Sequence, residues 1–183
     1  MGRIAVHEFV SLDGVFENPV WTAEFGFPDD LGGAVAAVTG GSSAILLGRA
    51  TFEMFAPAWS VRLPEDDPGA PFFNDSTKYV VSSTLDSVDG WQNSTLLGDY
   101  DPAAIAELKQ RVDGGIYVSG SGTLVRALLD DGLLDELHLF VYPVVLGAGA
   151  KLFPEGMPRT RLALAGQQAF GNGVLHVTYT PAA

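Results

Sequence analysis

The segment IYVSGSGTLVRALLDDG, residues 116–132, predicts how the whole chain folds. It opens with a short apolar run, which is typical of a strand buried on both faces. The turn Ser119-Gly120-Ser121-Gly122-Thr123 follows at once, and the rest has the apolar spacing of an amphipathic helix. A strand that runs through glycines directly into a helix indicates an α/β unit.

Strands and helices alternate in the same way over most of the chain. Apolar runs predict strands in RIAVHEFVSLDG (3–14, with a turn at its end), AILLG (44–48), KYVVSS (78–83), STLLG (94–98) and DELHLFVYPVVLG (135–147). Helical periods occur near 29–38, in RATFEMF (49–55) and in AAIAELKQRV (103–112), while four prolines mark 57–75 as a long surface loop. LALAGQQAF (162–170), a Gly-Asn-Gly turn and VLHVTYT (174–180) predict a closing hairpin. We therefore expect one α/β sheet with a mixed edge.

Length and composition fit a single globular domain over residues 1–183. The hydrophobic fraction of 47% excludes a disordered chain. Ten basic residues against 22 acidic ones give a net charge of −12, which argues against a nucleic-acid-binding protein. The absence of cysteine excludes disulfides and thiolate metal sites. Because no signal-type segment opens the sequence and no apolar run approaches the ~20 residues of a membrane span, we expect a cytoplasmic protein without a membrane partner.

Three predicted strands end in residues that suit an anionic ligand. The Gly120 turn would present backbone N–H groups at a helix start, and Gly48 is followed by Arg49 and Thr51 at another helix start. Ser82-Ser83 closes a third strand. Open α/β sheets bind ligands beyond the carboxyl ends of their strands, so these segments predict one shared site. Each also has a structural explanation: a tight turn, an arginine paired with a neighbouring acid, and two turn-forming serines.

Among the titratable residues, Asp30 is the candidate general acid, because it lies in FPDDL at the start of the first predicted helix. An acid at a helix start is also explained by its favourable interaction with the helix dipole. His7, His138 and His176 all fall in predicted strands and share no metal-ligand spacing. We therefore interpret them as structural and expect no metal site.

Several motifs together resemble one known family. They are VSLDG (10–14), LLGRATFEMF (46–55), KYVVSSTL (78–85), the long block from Tyr117 to Phe153, and the closing hairpin. On these motifs the chain resembles the dihydrofolate reductase-like superfamily. Within it, the chain is similar to stand-alone proteins related to the reductase domain of the bifunctional riboflavin-biosynthesis deaminase/reductase. The resemblance implies a central, mostly parallel sheet of about eight strands with flanking helices and a C-terminal antiparallel hairpin.

The resemblance also implies an activity, a cofactor and its contacts. The activity is that of an NADPH-dependent reductase of a pyrimidine- or pterin-like heterocycle, such as 5-amino-6-(5-phosphoribosylamino)uracil. The alternative is a non-catalytic nucleotide- or flavin-binding module on the same scaffold. Asp30 matches the carboxylate that binds substrate. The residues that match the NADPH-binding segments are Gly48, Arg49, Thr51, Ser82, Ser83, Gly120, Ser121, Gly122, Thr123 and Leu124.

The strongly apolar segment DELHLFVYPVVLG (135–147) leads to an expectation about assembly. Its place near the end of the chain predicts an antiparallel edge strand. An exposed edge of this hydrophobicity would pair with other chains unless it were covered. Since the family resemblance also implies dimers, we expect a homodimer.

Overall fold

In the computed structural model, which describes residues 2–182, the strands and helices follow the predicted alternation. The strands are β1 (Ile4–Ser11), β2 (Ser42–Gly48), β3 (Thr77–Val81), β4 (Ser94–Gly98), β5 (Gly115–Val118), β6 (Glu136–Tyr142), β7 (Leu162–Ala169) and β8 (Leu175–Pro181). The helices are α1 (Asp29–Gly40), α2 (Arg49–Trp59), α3 (Ala70–Asp75), α4 (Pro102–Arg111) and α5 (Gly122–Asp130). A 3-10 helix, Pro19–Phe25, precedes α1.

Within these residues one eight-stranded sheet forms in the order β4-β3-β2-β5-β1-β6-β8-β7. Strands β1 to β6 pair in parallel, whereas β8 runs antiparallel to both β6 and β7. The predicted α/β fold with a mostly parallel sheet and a C-terminal antiparallel hairpin is therefore confirmed. The topology puts β1 at the centre, which explains why its residues are almost all buried.

The prediction that the segment 135–147 forms an edge strand is wrong. Its regular part, β6, lies between β1 and β8 and forms hydrogen-bonded ladders with both. The apolar character of β6 therefore reflects burial inside the sheet rather than an edge that needs a partner chain. The edge at this end is β7, most of whose residues are exposed.

The helices cover the two faces of the sheet and bury alternate residues of the strands. Helices α4 and α5 pack on one face, where Leu108 and Val125 meet Ile4 and Leu46. Helices α1, α2 and α3 cover the other face in two apolar clusters. Because each helix follows a parallel strand, α1, α2 and α5 all begin at the carboxyl edge of the sheet.

The segment 57–75 is more regular than the predicted long loop. Helix α2 continues through Pro57 to Trp59, and α3 forms near the end of the segment. The reason is aromatic packing, since the rings of Trp59 and Phe73 stack with centroids 4.0 Å apart. That contact stabilises both helix ends against the effect of the prolines.

Replacing Gly33 with alanine is expected to raise the free energy of unfolding by roughly 0.5–1 kcal/mol, because glycine is a poor residue inside a helix. Gly33 lies within α1, and a Cβ there would meet nothing within 4 Å. Gly32 is the matched control, since its Cβ would come within 3.3 Å of the Phe27 ring. Urea unfolding measures both variants, and a destabilised Gly33→Ala protein would contradict the prediction.

Candidate functional site

The carboxyl ends of β2, β3 and β5 lie next to one another at one edge of the sheet. The turn after β5 reaches across to the end of β2, where the Gly48 N–H donates a hydrogen bond to the Gly120 carbonyl over 3.3 Å. The structure thus brings together two of the segments that the sequence predicted for one site. The turn after β3, with Ser82 and Ser83, lies on the outer side of Gly48.

Close backbone packing leaves no room for side chains at the two glycines of this contact. A Cβ on Gly48 would lie 3.0 Å from the backbone nitrogen of Ser121, so the turn rests directly on the end of β2. Gly120 has a φ of +80°, and a Cβ there would lie 2.7 Å from Thr51 Oγ1. The Gly120–Ser121 peptide bond is cis. The two glycines therefore let the turn after β5 pack directly on the end of β2 and beside Thr51.

Helix α5 presents its N-terminus at the same edge, and a cation accompanies it. The Arg126 guanidinium donates to the Leu152 carbonyl at 3.1 Å and to Thr123 Oγ1 at 3.3 Å. A Cβ on Gly122 would lie 2.9 Å from Arg126 Nη1. The N–H groups of the first helical turn, which have no acceptor within the helix, the helix dipole and this positive charge together suit an anion. Leu124 is buried in the core, so only its backbone can face a ligand.

Arg49 is exposed at the start of α2 and pairs with Glu53 across one helical turn, with a nitrogen–oxygen distance of 3.4 Å. An exposed pair of this length contributes little to stability and yields readily to a stronger anion. The alternative interpretation of Arg49, that it pairs with a neighbouring acid, thus matches the contact seen in this structure. Thr51, two residues further along α2, is buried beside Gly120.

The two serines after β3 have different roles. Ser82 is buried, and its Oγ accepts hydrogen bonds from the N–H groups of Thr84 at 3.1 Å and Leu85 at 3.0 Å. It therefore forms the turn. Ser83 is exposed beside it, so its hydroxyl faces solvent at the edge that carries Gly48.

Asp30 lies at the same edge but on the far side of β1. Its Oδ1 accepts a hydrogen bond from the Leu31 N–H at 2.9 Å, and its side chain is exposed. It borders a shallow depression whose other walls are Phe25, Phe27 and the turn between β7 and β8. The Gly120 turn follows β5, whereas the depression is lined by the turn between β7 and β8, so β1 and β6 lie between the two.

One buried acid at this edge was missed by the sequence analysis. Glu8 lies on β1 with only 6% of its surface exposed, and burial raises the pKa of its carboxyl to about 8. Its Oε1 is buried and has no hydrogen-bond partner among residues 2–182. The signal in the sequence was an acid in the middle of an otherwise apolar central strand.

The rim of the site is fixed by the VSLDG motif. Asp13 accepts hydrogen bonds from the Ser11 hydroxyl at 2.6 Å, the Leu146 N–H at 3.1 Å and the Gly147 N–H at 2.8 Å. These donors lower the pKa of the Asp13 carboxyl to about 2. The loop after β1 is thereby joined to the loop after β6.

The three histidines do fall in strands, as predicted, and two of them meet. His138 Nδ1 and His176 Nε2 are 3.1 Å apart on β6 and β8. His7 is buried, and its Nδ1 lies 2.7 Å from Tyr117 Oη. Across residues 2–182, no group of three or more His, Asp or Glu side chains is arranged to hold a metal ion. Likewise, no helix in that range combines the length and apolar character needed to cross a bilayer.

This architecture, with a mostly parallel sheet and a C-terminal antiparallel hairpin, has the dihydrofolate reductase-like fold. The chain belongs to the RibD C-terminal domain family, whose model matches residues 3–176. It therefore carries a domain similar to the reductases of riboflavin biosynthesis.

Individual relatives agree with this assignment. The uncharacterized protein YwjB of Bacillus subtilis (strain 168) is 31% identical over 169 residues, which cover 90% of each protein. A Shewanella sp. PV-4 structure, described as a candidate riboflavin biosynthesis protein, has a TM-score of 0.81 at 21% identity, and each chain covers 100% of the other. Enterococcus faecalis dihydrofolate reductase, solved with NADP(H), has a TM-score of 0.65 at 17% identity. The match covers 100% of this chain and 98% of the reductase chain. The two structural likenesses show the fold.

Proposed function

We propose that the protein is an NADPH-dependent reductase of a pyrimidine- or pterin-like heterocycle, with 5-amino-6-(5-phosphoribosylamino)uracil as the family's example. The observation that carries the proposal is the backbone cradle in which Gly48 and Gly120 touch beside the N-terminus of α5. Such a cradle fits a pyrophosphate group. The membership in the RibD C-terminal domain family supports a reductase.

The residues at the cradle fit each charged part of NADPH. The pyrophosphate would lie against the Gly120–Leu124 turn and the start of α5, near the Arg126 guanidinium. Arg49 and Ser83 would face the adenosine portion, with Arg49 at the 2′-phosphate, while the buried Thr51 and Ser82 would hold the turns that carry the site. When bound, NADPH supplies a hydride, so the protein itself needs to orient the substrate and to move a proton.

The depression beside Asp30 is the proposed substrate site. Phe25 and Phe27 provide apolar surface against which a planar heterocycle can stack, and Asp30 provides a carboxyl at its border. Reduction of a C=N or C=O bond leaves a heteroatom that needs a proton, and a carboxyl can hold or relay that proton.

The test of the cofactor proposal is the loss of NADPH selectivity in Arg49→Ala. A charge-assisted hydrogen bond contributes about 1.5–3 kcal/mol, so NADPH binding should weaken by about 10- to 150-fold while NADH binding stays nearly unchanged. Arg111→Ala is the matched control, because Arg111 ends α4 at the opposite edge of the sheet. Fluorescence titration gives both dissociation constants, and equal losses for NADPH and NADH would contradict the role of Arg49.

Asp30→Asn is expected to lower kcat by 100-fold or more and to leave NADPH binding unchanged, as for loss of a general acid. Asp29→Asn is the control, since the preceding residue shares the helix start and is also exposed. Steady-state kinetics on the turned-over heterocycle measures the effect. Full activity in Asp30→Asn would end the proposed role.

The alternative function is a nucleotide- or flavin-binding module without catalysis. Helix-start N–H groups and glycines bind a nucleotide whether or not a reaction follows. A panel of oxidised pyrimidines and pterins, incubated with NADPH and followed at 340 nm, separates the two functions. Binding without turnover across the panel favours the module.

We also propose that the protein is a cytoplasmic homodimer, now on the basis of β7 rather than β6. The edge strand LALAGQQA carries no charge and no proline, and Leu164 is exposed on it. Edges of this kind pair with other chains unless they are covered. Light scattering at micromolar concentration measures the oligomeric state, and a monomer would contradict the homodimer proposal.

A further inference from the structure

The buried Oε1 of Glu8 has no hydrogen-bond partner among residues 2–182. Burying a carboxyl without a hydrogen-bond partner costs free energy, and such groups usually serve a ligand or bind water. Other buried polar atoms without partners in residues 2–182 belong to His7, Trp21, Ser94 and Tyr142. Of these side chains only Glu8 carries a carboxyl, and it is the one placed against the Gly120 turn.

The position of Glu8 is set by the register of the central strands. Val6 pairs with Val118, so Glu8, two residues further along β1, lies level with Gly120 in the turn after β5. A Cβ on Gly120 would lie 3.5 Å from Glu8 Oε1 and 2.7 Å from Thr51 Oγ1. Glu8 therefore lies beneath the turn that joins the proposed cofactor segments, between the cradle and the depression beside Asp30.

The chemistry of this carboxyl selects an uncharged ligand group. Val10 and Val118, both buried, belong to the apolar cluster on this part of the sheet, and burial raises the Glu8 pKa to about 8, so at neutral pH the carboxyl is mostly protonated. A protonated carboxyl has one O–H donor and one carbonyl acceptor on the same edge. A phosphate beside this protonated carboxyl would gain little binding free energy from it. A primary carboxamide, by contrast, offers a carbonyl to the carboxyl's O–H and an N–H to its carbonyl oxygen.

We propose that Glu8 binds the carboxamide of the cofactor's nicotinamide ring through a pair of hydrogen bonds beside the Gly120 turn. This inference rests on the proposed function and assigns Glu8 as a positioning residue for the reactive end of the cofactor. The apolar surroundings suit that end, since hydride transfer needs a site from which water is excluded. The phosphates remain at the cradle, away from an acid.

The experiment compares NADP⁺ with its 3-acetylpyridine analogue, which keeps the carbonyl but replaces the amide nitrogen with a methyl group. Dissociation constants are measured by calorimetry without any substrate. The wild-type protein should bind the analogue about 10-fold more weakly, because one buried oxygen then stays unpaired. Glu8→Ala should bind both ligands equally, while Glu8→Gln, which keeps a donor and an acceptor, should retain the preference. Glu107→Ala, on the exposed face of α4, is the control.

Each outcome has a distinct meaning. Equal binding of the two ligands by the wild-type protein overturns the inference even if no variant folds, and leaves the proposed function standing. No binding of NADP⁺ by the folded wild-type protein overturns the proposed function and the inference together.

A substrate lactam offers the same donor and acceptor, so 6-aminouracil is titrated as well. If Glu8→Ala weakens 6-aminouracil binding but keeps the NADP⁺ preference, Glu8 serves the substrate and the inference is wrong.

Discussion

Replacing Lys78 with methionine is expected to lower the free energy of unfolding by about 3–5 kcal/mol, the cost typical of breaking a buried charged network. Lys78 is fully buried, and its Nζ donates to the carbonyls of Phe73 at 2.8 Å, Asn74 at 3.2 Å and Ser76 at 2.8 Å. Methionine fills a similar volume but donates nothing. The carbonyls of Phe73 and Ser76 would lose this donor, while the Asn74 carbonyl would keep the Asn93 amide at 3.0 Å.

Urea unfolding measures this loss, with Lys151→Met as the control because Lys151 is exposed. The Lys78 ammonium also lies 4.7 Å from the centre of the Trp91 ring, so Trp91 fluorescence is expected to change in the variant. A loss below 1 kcal/mol would show that the carbonyls find other donors.

The second large effect is that two neighbouring residues of β1, His7 and Glu8, make the free energy of unfolding depend on pH in opposite directions. Burial lowers the pKa of His7 from 6.5 to about 3, so the folded state disfavours its charged form. The stability from neutral His7 is therefore present above pH 6.5 and is lost as the pH falls. Burial raises the pKa of Glu8 from 4.5 to about 8, so its contribution is present below pH 4.5 and is lost as the pH rises.

Between pH 4.5 and 7 each group changes the free energy of unfolding by about 3 kcal/mol, in opposite directions. Glu8→Gln should therefore gain about 3 kcal/mol relative to the wild-type protein as the pH rises from 4.5 to 7. His7→Phe should show the reverse trend. Unfolding curves at several pH values measure both differences. Parallel profiles for Glu8→Gln and the wild-type protein would contradict the assignment of Glu8.

Most of the fold was predictable because its signals are local. The apolar runs that became β2 and β5, the periodicity of α5 and the Gly-Asn-Gly turn each depend on a few neighbouring residues. The segment 57–75 differed because the stacking of Trp59 on Phe73 joins residues far apart in sequence. The wrong edge assignment of β6 has the same cause, since hydrophobicity alone does not distinguish a central strand from an uncovered edge.

The candidate site was predictable where backbone chemistry dominates and not where side chains converge from distant strands. Gly48 and Gly120 were found because helix starts after buried strands are visible in the sequence. Glu8 was missed because its importance depends on the pairing of β1 with β5. Arg126 lies four residues after Gly122 in the same helix, so helical spacing could have indicated it, whereas its contact with the Leu152 carbonyl depends on the fold. The contact of Arg49 with Glu53, by contrast, was among the alternatives considered.

The central position of β1 has a consequence for how the protein is made. Ile4 pairs with Ile116, and Ala5 pairs with Glu136, so both neighbours of β1 come more than 100 residues later in the chain. During synthesis β1 leaves the ribosome long before either partner exists. The sheet can close only after the second half of the chain has emerged, and contacts this distant in sequence make folding slow. A nascent chain that ends before β5 therefore exposes an apolar strand with both edges open, which is the form that chaperones bind.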